Sequence, residues 1–367
     1  MVTCSAPGKI LWLGGYAVLE RPNVSFITGV DKRVYATATE SDKITFKSPQ
    51  FNFEATGVFE SGKIVLNEDS EKAKFVKTVA EGCLQYFAWK GVAIKNFELE
   101  TKSDEAFGVE VKAGLGSSAA VCVAATAALF ELHGLGIETH KEQIHKISQW
   151  AHNTAQGKVG SGFDVAAACY GASSYVRYSP DLLKNNPFPQ VVEMPWDYEI
   201  SETPLPRQFT VAIAALGKSA STSEMVKKVN AWKAENPAEY GELMAQYTAS
   251  NSFAINALKQ LSKDPSGKNL DDFKKMFNYS QFLKKQLGVK SGAPIESDDY
   301  TQLREESCAH GAFVCCLPGA GGGDSIAAFC LDEEKKGELQ AFWKSKGLNV
   351  LDLSVSSEGV RVEKALP

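Results

Sequence analysis

The sequence lacks several features that mark proteins outside the ordinary globular class. Its eight cysteines contain no C-x-x-C pair, so a structural zinc site is not supported and buried, reduced thiols are expected. Its longest apolar run, residues 119–130, is too short to cross a bilayer. The first fifteen residues are interrupted by Pro7, Lys9 and three glycines, a pattern that does not fit a secretory signal peptide. We therefore expect a cytoplasmic protein.

An excess of basic residues is also missing. The 367 residues include 39 lysines and arginines against 44 aspartates and glutamates, a net charge of −5. This balance excludes the electrostatic footprint of a nucleic-acid-binding protein. Any anionic ligand must therefore be held by a local site. We expect a small-molecule partner, neither nucleic acid nor membrane, and a monomer or homodimer.

The chain is longer than a single hydrophobic core usually supports, so two domains are expected. Residues 119–133 predict a helix that is apolar almost all round and therefore buried. Thr139 with Glu142 predicts a capping box for the next helix. Short strands are predicted at residues 2–6, 34–38, 97–100 and 109–112.

A proline-rich stretch at residues 180–206 predicts connecting chain between the two domains. We therefore place an N-terminal domain at residues 1–205 and a C-terminal domain at residues 206–367. In the second part, the pattern predicts a strand at residues 209–215, helices that begin near Ser221, Pro237 and Leu270, and a strand–loop–strand unit at residues 313–331. The order indicates two α+β domains with a cleft between them.

The segment Gly114-Leu115-Gly116-Ser117-Ser118-Ala119 leads directly into the predicted buried helix. Its glycines can adopt positive φ and approach a ligand closely. The first N–H groups of a helix lack partners within it and carry the positive end of its dipole, so they bind anions. The segment therefore predicts a phosphate-binding loop. It is not a dinucleotide fingerprint, because Ala119 stands where the third glycine of G-x-G-x-x-G is required.

Two charged residues are candidates for such a site. Lys9 follows Pro7-Gly8 and precedes an apolar stretch, so it either points into a cleft or lies on a surface turn. Asp164 ends the run Gly160-Ser161-Gly162-Phe163-Asp164. It either caps a helix, or lies at the floor of a cleft as a general base or as a charge that holds the lysine. The residues alone leave these alternatives open.

Two further stretches are compatible with a phosphate group. Gly217-Lys218-Ser219 follows a strand and precedes a helix, as in a Walker A loop, but Ala212 stands where that loop requires its first glycine. The stretch therefore predicts a site for one phosphate, ahead of a capping box formed by Ser221 and Glu224. Residues 318–324 contain four glycines between two apolar strands, which indicates close approach to a ligand or to the phosphate loop, with a flexible hairpin as the alternative.

Taken in order, Pro7-Gly8-Lys9, residues 114–120 and residues 319–324 resemble the three motifs of the GHMP kinases, and the match extends over nearly the whole chain. The resemblance implies an α+β, two-domain GHMP kinase fold. Its N-terminal domain should be ribosomal protein S5 domain 2-like, its C-terminal domain ferredoxin-like, and the active site should lie in the cleft between them. ATP and Mg²⁺ are the implied cofactors.

The resemblance also implies roles for individual residues. Lys9 and Asp164 are expected to be catalytic. The nucleotide is expected along the phosphate loop, at Gly114, Leu115, Gly116, Ser117, Ser118 and Ala119, with Ser118 first and Ser117 second as ligands of Mg²⁺. The substrate is expected at Tyr16, Ser161, Lys218, Ser219, Ser221, Ala320 and Gly321.

Within the superfamily, residues 14–19, 160–164 and 217–223 look like the phosphomevalonate kinase branch. That likeness implies ATP-dependent phosphoryl transfer to (R)-5-phosphomevalonate, giving 5-diphosphomevalonate and ADP, in isoprenoid biosynthesis by the mevalonate pathway. The alternatives are another GHMP kinase such as mevalonate kinase, a decarboxylating relative, or a catalytically silent ligand sensor.

Two departures from the family pattern bear on this expectation. Mevalonate-kinase relatives place a magnesium-binding glutamate ahead of the Asp164 motif, whereas this chain has His152-Asn153-Thr154-Ala155-Gln156 there. The phosphate loop also lacks its leading proline and has Glu110 and Val111 instead. The first departure leaves the identity of the magnesium ligands open.

Overall fold

The computed structural model describes residues 1–68, 70–105, 114–157, 160–217 and 221–364. Over these residues, the larger of two sheets contains ten strands. They are β1 Val2–Leu13, β2 Ser25–Glu40, β3 Ile44–Ser48, β4 Phe53–Glu60, β5 Lys63–Leu66, β6 Phe97–Ser103, β7 Ser173–Val176, β8 Glu199–Glu202, β13 Val355–Ser356 and β14 Arg361–Val362. Seven of them lie in the order β14-β1-β2-β6-β3-β4-β5, while β7 and β13 pair with β2 and β8 pairs with β7. The strand predicted at residues 109–112 lies outside the described residues.

The first strand differs from its prediction. A strand was predicted only at residues 2–6, ahead of Pro7-Gly8-Lys9, but β1 continues through these three residues to Leu13 and stays paired with β2. The register shifts between Pro7, opposite Arg33, and Lys9, opposite Gly29. This irregularity is a bulge, and bulges redirect side chains without ending a strand.

Helices α1 Lys74–Lys90, α2 Ser117–Leu132, α3 Ile137–Gln156 and α4 Phe163–Tyr170 accompany the larger sheet. The central helix α2 packs against β1 and β2 and against its neighbours α1 and α3. Its alanine-rich stretch is buried along almost its whole length, as the apolar pattern predicted. Small side chains let the surrounding elements approach closely, so α2 forms the centre of the first hydrophobic core.

The predicted capping box of α3 is wrong. The helix begins at Ile137 with Gly136 as its N-cap, and Thr139 donates from its hydroxyl to the Gly136 carbonyl at 3.1 Å. The backbone N–H of Ile137 is instead satisfied by the carboxylate of Glu131 at 2.7 Å. A side chain of the preceding helix therefore replaces the local cap, which a search for local motifs does not detect.

The smaller sheet consists of β9 Thr210–Ala215, β10 Val314–Cys316, β11 Ser325–Cys330 and β12 Asn349–Leu351, in the order β10-β11-β9-β12. Its helices are α6 Thr222–Glu235, α7 Pro237–Lys263, α8 Gly267–Ser291, α9 Asp298–Ala309 and α10 Glu333–Ser345. The predicted strand–loop–strand unit is present as the antiparallel pair β10 and β11. The order of strands around helices is that of a ferredoxin-like layer, as expected.

The proline-rich stretch is more structured than predicted. It contains the short helix α5 Asp181–Asn185 and strand β8, which extends the larger sheet by pairing with β7. Near the end of the chain, β13 and β14 return to the larger sheet and pair with β2 and β1. The two sheets are therefore joined at more than one place along the chain. Among the described residues, no helix has both the length and the apolar character needed to cross a membrane.

Candidate active site

A cavity of about 610 Å³ lies where the two sheets and their loops meet. Its wall combines residues of the amino-terminal segment, the phosphate loop, residues 160–164 and residues 318–324. They are Lys9, Gly15, Tyr16, Gly114, Leu115, Gly116, Ser117, Ser118, Ser161, Asp164, Gly319, Ala320, Gly321 and Asp324. Ala119 is fully buried in the first turn of α2. The chain thus brings together segments that are more than three hundred residues apart.

Lys9 is held at the edge of the cavity by the loop ahead of α2. Its backbone N–H donates to the Leu115 carbonyl at 2.9 Å, and its Nζ donates to the Gly114 carbonyl at 2.7 Å. The ammonium also lies 5.2 Å from the centre of the Phe163 ring, within the range of a cation–π contact. Lys9 is therefore directed toward the predicted phosphate loop, and the surface-turn alternative is not what the structure has.

Burial lowers the pKa of the Lys9 ammonium below its ordinary value, and the negative charges of Asp164 and Asp324 oppose this shift. The cause is the removal of a cation from water, which disfavours the charged form. An anion bound in this cavity would stabilise the charged form of the Lys9 ammonium. The electrostatics of the site thus favour a negatively charged ligand beside Lys9.

The loop ahead of α2 has the geometry that its glycines predicted. Gly114 has a φ of +68° and Gly116 a φ of +77°. Gly116 is the N-cap residue and provides no side-chain cap, and α2 starts with the exposed Ser117 and the partly buried Ser118. A Cβ on Gly116 would lie 3.0 Å from Cε of Lys9. The N-terminus of α2 therefore opens toward the cavity, with Lys9 against its backbone.

Asp164 is the second residue of α4, and the N-cap position belongs to Gly162. The N-cap alternative raised from the sequence is therefore wrong. One carboxylate oxygen of Asp164 accepts from the N–H of Val165 at 2.9 Å, and the other lies 3.9 Å from Nε2 of His152. Asp164 also lines the cavity. Its position is compatible with contact to Lys9 or to a ligand.

Buried side chains hold the backbone of residues 160–162 from behind. Arg177 donates to the Gly160 carbonyl at 2.7 Å, and the amide oxygen of Asn153 accepts from the Gly160 N–H. The Tyr175 hydroxyl donates to the Ser161 carbonyl at 3.1 Å, and Gln149 donates to the Gly162 carbonyl at 2.7 Å. None of these four residues was predicted as a site residue from the sequence. Polar residues within predicted core segments were the available signal, because buried polar groups need partners.

The glycine-rich loop between β10 and β11 is packed, and the flexible-hairpin alternative does not apply. The N–H of Gly319 donates to the Leu11 carbonyl at 2.9 Å, and the Tyr16 hydroxyl donates to the Ala320 carbonyl at 3.1 Å. Gly321 has a φ of +79°, and a Cβ there would lie 2.3 Å from the carbonyl oxygen of Ile295. Only glycine satisfies both conditions. The loop is thereby fixed against β1.

Asp324, which follows this loop, was missed as a site residue. It lines the cavity, and its Oδ2 lies 3.5 Å from where a Cβ on Gly114 would be. Its Oδ1 is buried and has no hydrogen-bond partner within the described parts of the chain. A buried carboxylate oxygen without a partner is costly unless a cation or donor meets it. The aspartate at the end of the glycine run was the sequence signal for this residue.

Part of the stretch at residues 217–223 lies outside the described residues, namely Lys218, Ser219 and Ala220. The capping interaction predicted after them is present, because the Ser221 hydroxyl accepts from the N–H of Glu224 at 3.4 Å. Ser221 itself is exposed, whereas the next residue, Thr222, lines the cavity together with Val226. The N-terminus of α6 thus borders the cavity.

A second cavity of about 210 Å³ adjoins the first at Ser117 and Ser118. Its wall is largely apolar and includes Phe46, Phe53 and Phe75. Aromatic walls with a few polar groups at the edge are typical of sites for a planar ligand. The two serines at the start of α2 therefore lie between a polar cavity and an apolar one.

Comparison with known proteins gives matches along the whole chain. The family described as GHMP kinases N terminal domain matches residues 74–172, and the one described as GHMP kinases C terminal matches residues 254–349. The phosphomevalonate kinase of Saccharolobus solfataricus is 30% identical over 99% of both chains. That of Gibberella zeae is 29% identical over 99% of this chain and 96% of its own. The solved Streptococcus pneumoniae phosphomevalonate kinase, in complex with phosphomevalonate and AMPPNP, has the same fold, with a TM-score of 0.79 at 21% identity over 97% of this chain and 100% of that one.

Proposed function

The chain belongs to the GHMP kinases, and from this membership and the geometry of its cavity we propose that it transfers the γ-phosphoryl group of ATP to (R)-5-phosphomevalonate. The products are 5-diphosphomevalonate and ADP. The observation that carries the proposal is the direction of Lys9, whose ammonium donates to the Gly114 carbonyl of the loop ahead of α2, beside a cavity that two aspartates also line. Relatives that are phosphomevalonate kinases match the chain from end to end.

The nucleotide occupies both cavities in this proposal. Its phosphates lie along residues 114–119, where the N-terminus of α2 and the helix dipole stabilise negative charge. Its adenosine lies in the apolar cavity that adjoins Ser117 and Ser118. The two serines are placed at the junction, which suits a chain of phosphates running from one cavity into the other.

The residues present fit a magnesium ion. Mg²⁺ prefers oxygen ligands. The cavity offers the unpartnered carboxylate oxygen of Asp324 and two hydroxyls, of which Ser118 is the first choice and Ser117 the second. These residues would hold the ion that accompanies ATP. When bound, Mg²⁺ neutralises charge on the phosphates.

Lys9 and Asp164 act on the transferred group and its acceptor. Phosphoryl transfer depends mainly on positioning and charge neutralisation, and Lys9 supplies a cation that burial has already removed from water. The acceptor is itself a phosphate monoester, whose second pKa is about 6, so it is largely ionised at neutral pH. Asp164 is therefore an orienting residue, and not a base on which the reaction depends.

The substrate lies toward β1, α6 and the loop between β10 and β11. Tyr16, Ser161, Ala320 and Gly321 line this side of the cavity. Lys218, Ser219 and Ser221, ahead of α6, bind the phosphate already present on the substrate in this proposal. The division into domains at residue 205 and the cytoplasmic location stay predictions.

The decisive assay measures ADP release with (R)-5-phosphomevalonate beside mevalonate as acceptor. Turnover with the phosphorylated acceptor alone supports the proposal, and turnover with mevalonate alone would move the chain to another branch of the family. Lys218→Ala should raise KM for phosphomevalonate at least tenfold, about 1.4 kcal/mol of binding, with little change in KM for ATP. Lys228→Ala, on the exposed side of α6, is the matched control and should leave both constants unchanged.

Lys9→Met tests the catalytic assignment. It should lower kcat by orders of magnitude with a modest change in KM for ATP, because it removes charge stabilisation from the transition state. Asp164→Asn should cost less than Lys9→Met. A loss of less than tenfold in Lys9→Met would contradict the role given to the lysine.

A further inference from the structure

His152 on α3 lies beside the start of α2, where the two cavities meet. The side chain is 4% exposed. Its ring stacks on Phe75, with centroids 5.8 Å apart and planes at 29°. Phe75 belongs to the wall of the apolar cavity. Packing thus fixes the imidazole on one face, and its Nε2 edge faces the start of α2.

Nε2 of His152 has three polar neighbours. Oγ of Ser118 lies at 3.1 Å and Nε2 of Gln156 at 3.0 Å. Oδ2 of Asp164 lies at 3.9 Å, beyond hydrogen-bond distance. The amide nitrogen of Gln156 can only donate, so Nε2 of His152 is an acceptor in this arrangement. The 3.1 Å contact of the Ser118 hydroxyl with this nitrogen is then a hydrogen bond in which the hydroxyl donates, and the two donors share the one lone pair of Nε2.

This assignment determines what Ser118 can offer to the cavity. A hydroxyl has one proton and two acceptor lone pairs. When the proton is directed at His152, the lone pairs remain for the cavity side. A lone pair suits a cation and is repelled by a phosphate oxygen. In this orientation the Ser118 hydroxyl can bind a cation, and it cannot donate a hydrogen bond to a phosphate.

We infer that His152 is a positioning residue, which orients the Ser118 hydroxyl so that its lone pairs bind the divalent cation of the nucleotide. The inference rests on the proposed function, because that proposal puts the cation beside Ser118. Partners in the second coordination shell fix metal ligands in this way, and their loss typically costs 10- to 100-fold in metal affinity. His152 itself touches neither the nucleotide nor the acceptor in this arrangement.

The test is a double-mutant cycle on Mn²⁺ binding to the complex of the enzyme with AMPPNP. Electron paramagnetic resonance measures free Mn²⁺, with the enzyme in excess over the nucleotide. His152→Phe keeps a ring against Phe75 but removes the acceptor, so it should weaken Mn²⁺ binding about 10- to 100-fold. Ser118→Ala should have a similar effect. The double variant should be no more than about twofold weaker than Ser118→Ala, because coupled residues are not additive.

Two further variants separate positioning from a general structural role. His152→Gln has an amide oxygen that can accept from Ser118, so it should recover most of the affinity that His152→Phe loses. His133→Phe replaces a partly buried imidazole at the opposite end of α2, where His133 contacts the Leu129 carbonyl, and should leave Mn²⁺ affinity unchanged. The kinetic counterpart is a raised KM for Mg²⁺, with kcat recovered at saturating Mg²⁺.

The outcomes are distinguishable. If His152→Phe binds Mn²⁺ within twofold of the wild type, or if its effect persists in full on the Ser118→Ala background, the inference is overturned while the proposed function stands. If wild-type enzyme with AMPPNP binds no Mn²⁺, the proposed function fails, and the inference fails with it. Should His152→Phe not fold, His152→Gln decides, since an acceptor that restores wild-type affinity supports the inference and one that leaves a 10-fold loss contradicts it.

Discussion

His145 should make this protein sensitive to acid. The imidazole is fully buried on α3, between the edges of Tyr170 and Tyr198, at 5.2 and 4.8 Å between ring centroids. Its Nδ1 has no hydrogen-bond partner among the residues described. Burial lowers the pKa of His145 to about 3, and the nearby charge of Lys146 adds to the shift. The folded protein therefore keeps this histidine neutral at pH values where the unfolded chain protonates it.

The magnitude follows from the two pKa values. Because the folded value lies below the unfolded value of 6.5, the unfolded chain binds more protons between about pH 3 and pH 6.5, and stability falls as the pH falls through this window. At pH 5 a histidine with a pKa of about 6.5 is protonated roughly thirtyfold over neutral. This group alone should therefore cost about 2 kcal/mol of unfolding free energy between pH 8 and pH 5.

His145→Phe removes the titrating group and keeps a ring between the two tyrosines. Urea unfolding of both proteins, followed by tryptophan fluorescence at pH 8 and pH 5, should show a pH-dependent loss that is about 2 kcal/mol smaller in the variant. With a urea slope of about 3 kcal/mol/M, this is about 0.7 M in the midpoint. His310→Phe, at an exposed position, should behave as the wild type. Equal losses in wild type and His145→Phe, within about 0.5 kcal/mol, would refute the reasoning.

Three further predictions concern the candidate active site. Gly116→Ala and Gly134→Ala both put a side chain at a φ near +78°, so each should lower the unfolding free energy by about 1–2 kcal/mol. Only the Cβ at position 116 meets Lys9. Gly116→Ala alone should therefore lower kcat, by about tenfold or more in a steady-state assay. Burial lowers the pKa of Lys9, so kcat/KM should begin to fall at an alkaline pH that lies below 10.5. The fall in kcat should come at a higher pH than the fall in kcat/KM, because bound phosphates stabilise the ammonium. Profiles that stay flat up to pH 10.5 would contradict this prediction. Asp324→Asn removes a negative charge that raises the pKa of Lys9, so the alkaline fall in kcat/KM should move to lower pH. An unchanged position of that fall would contradict the electrostatic interaction between Asp324 and Lys9.

The site was predictable where function depends on local sequence. Glycines at 114 and 116, followed by serines and a long alanine-rich stretch, predict an open helix N-terminus whatever the rest of the chain does. The structure has that geometry, with both glycines at positive φ. Gly321 is similar, because its close approach to the carbonyl of Ile295 leaves no room for a side chain. The α+β class was also within reach, since strand and helix periods alternate clearly there, whereas the ferredoxin-like layer was expected only from the resemblance to the GHMP kinases.

What the sequence could not provide is the set of contacts between distant residues. Glu131 replaces the expected Thr139 cap of α3, and no local motif encodes a partner six residues earlier in another helix. Lys9 was expected after a turn, because Pro7-Gly8 ordinarily breaks a strand, yet pairing with β2 on one side keeps β1 continuous through a bulge. The polar side chains behind residues 160–162 likewise acquire their meaning only when α3 and β7 meet that segment.

The return of β13 and β14 to the larger sheet has a consequence for how the polypeptide is made. The sheet that carries Lys9 combines β1 and β2 with strands more than three hundred residues further along the chain, because Cys4 pairs with Val362 and Gly29 with Ser356. Until β13 and β14 have been synthesised, the nascent chain must expose an unfinished sheet edge, which is prone to association with other chains. Truncation ahead of β13 would leave that edge open permanently. Cutting the gene at the proline-rich stretch would likewise yield an amino-terminal fragment without its closing strands.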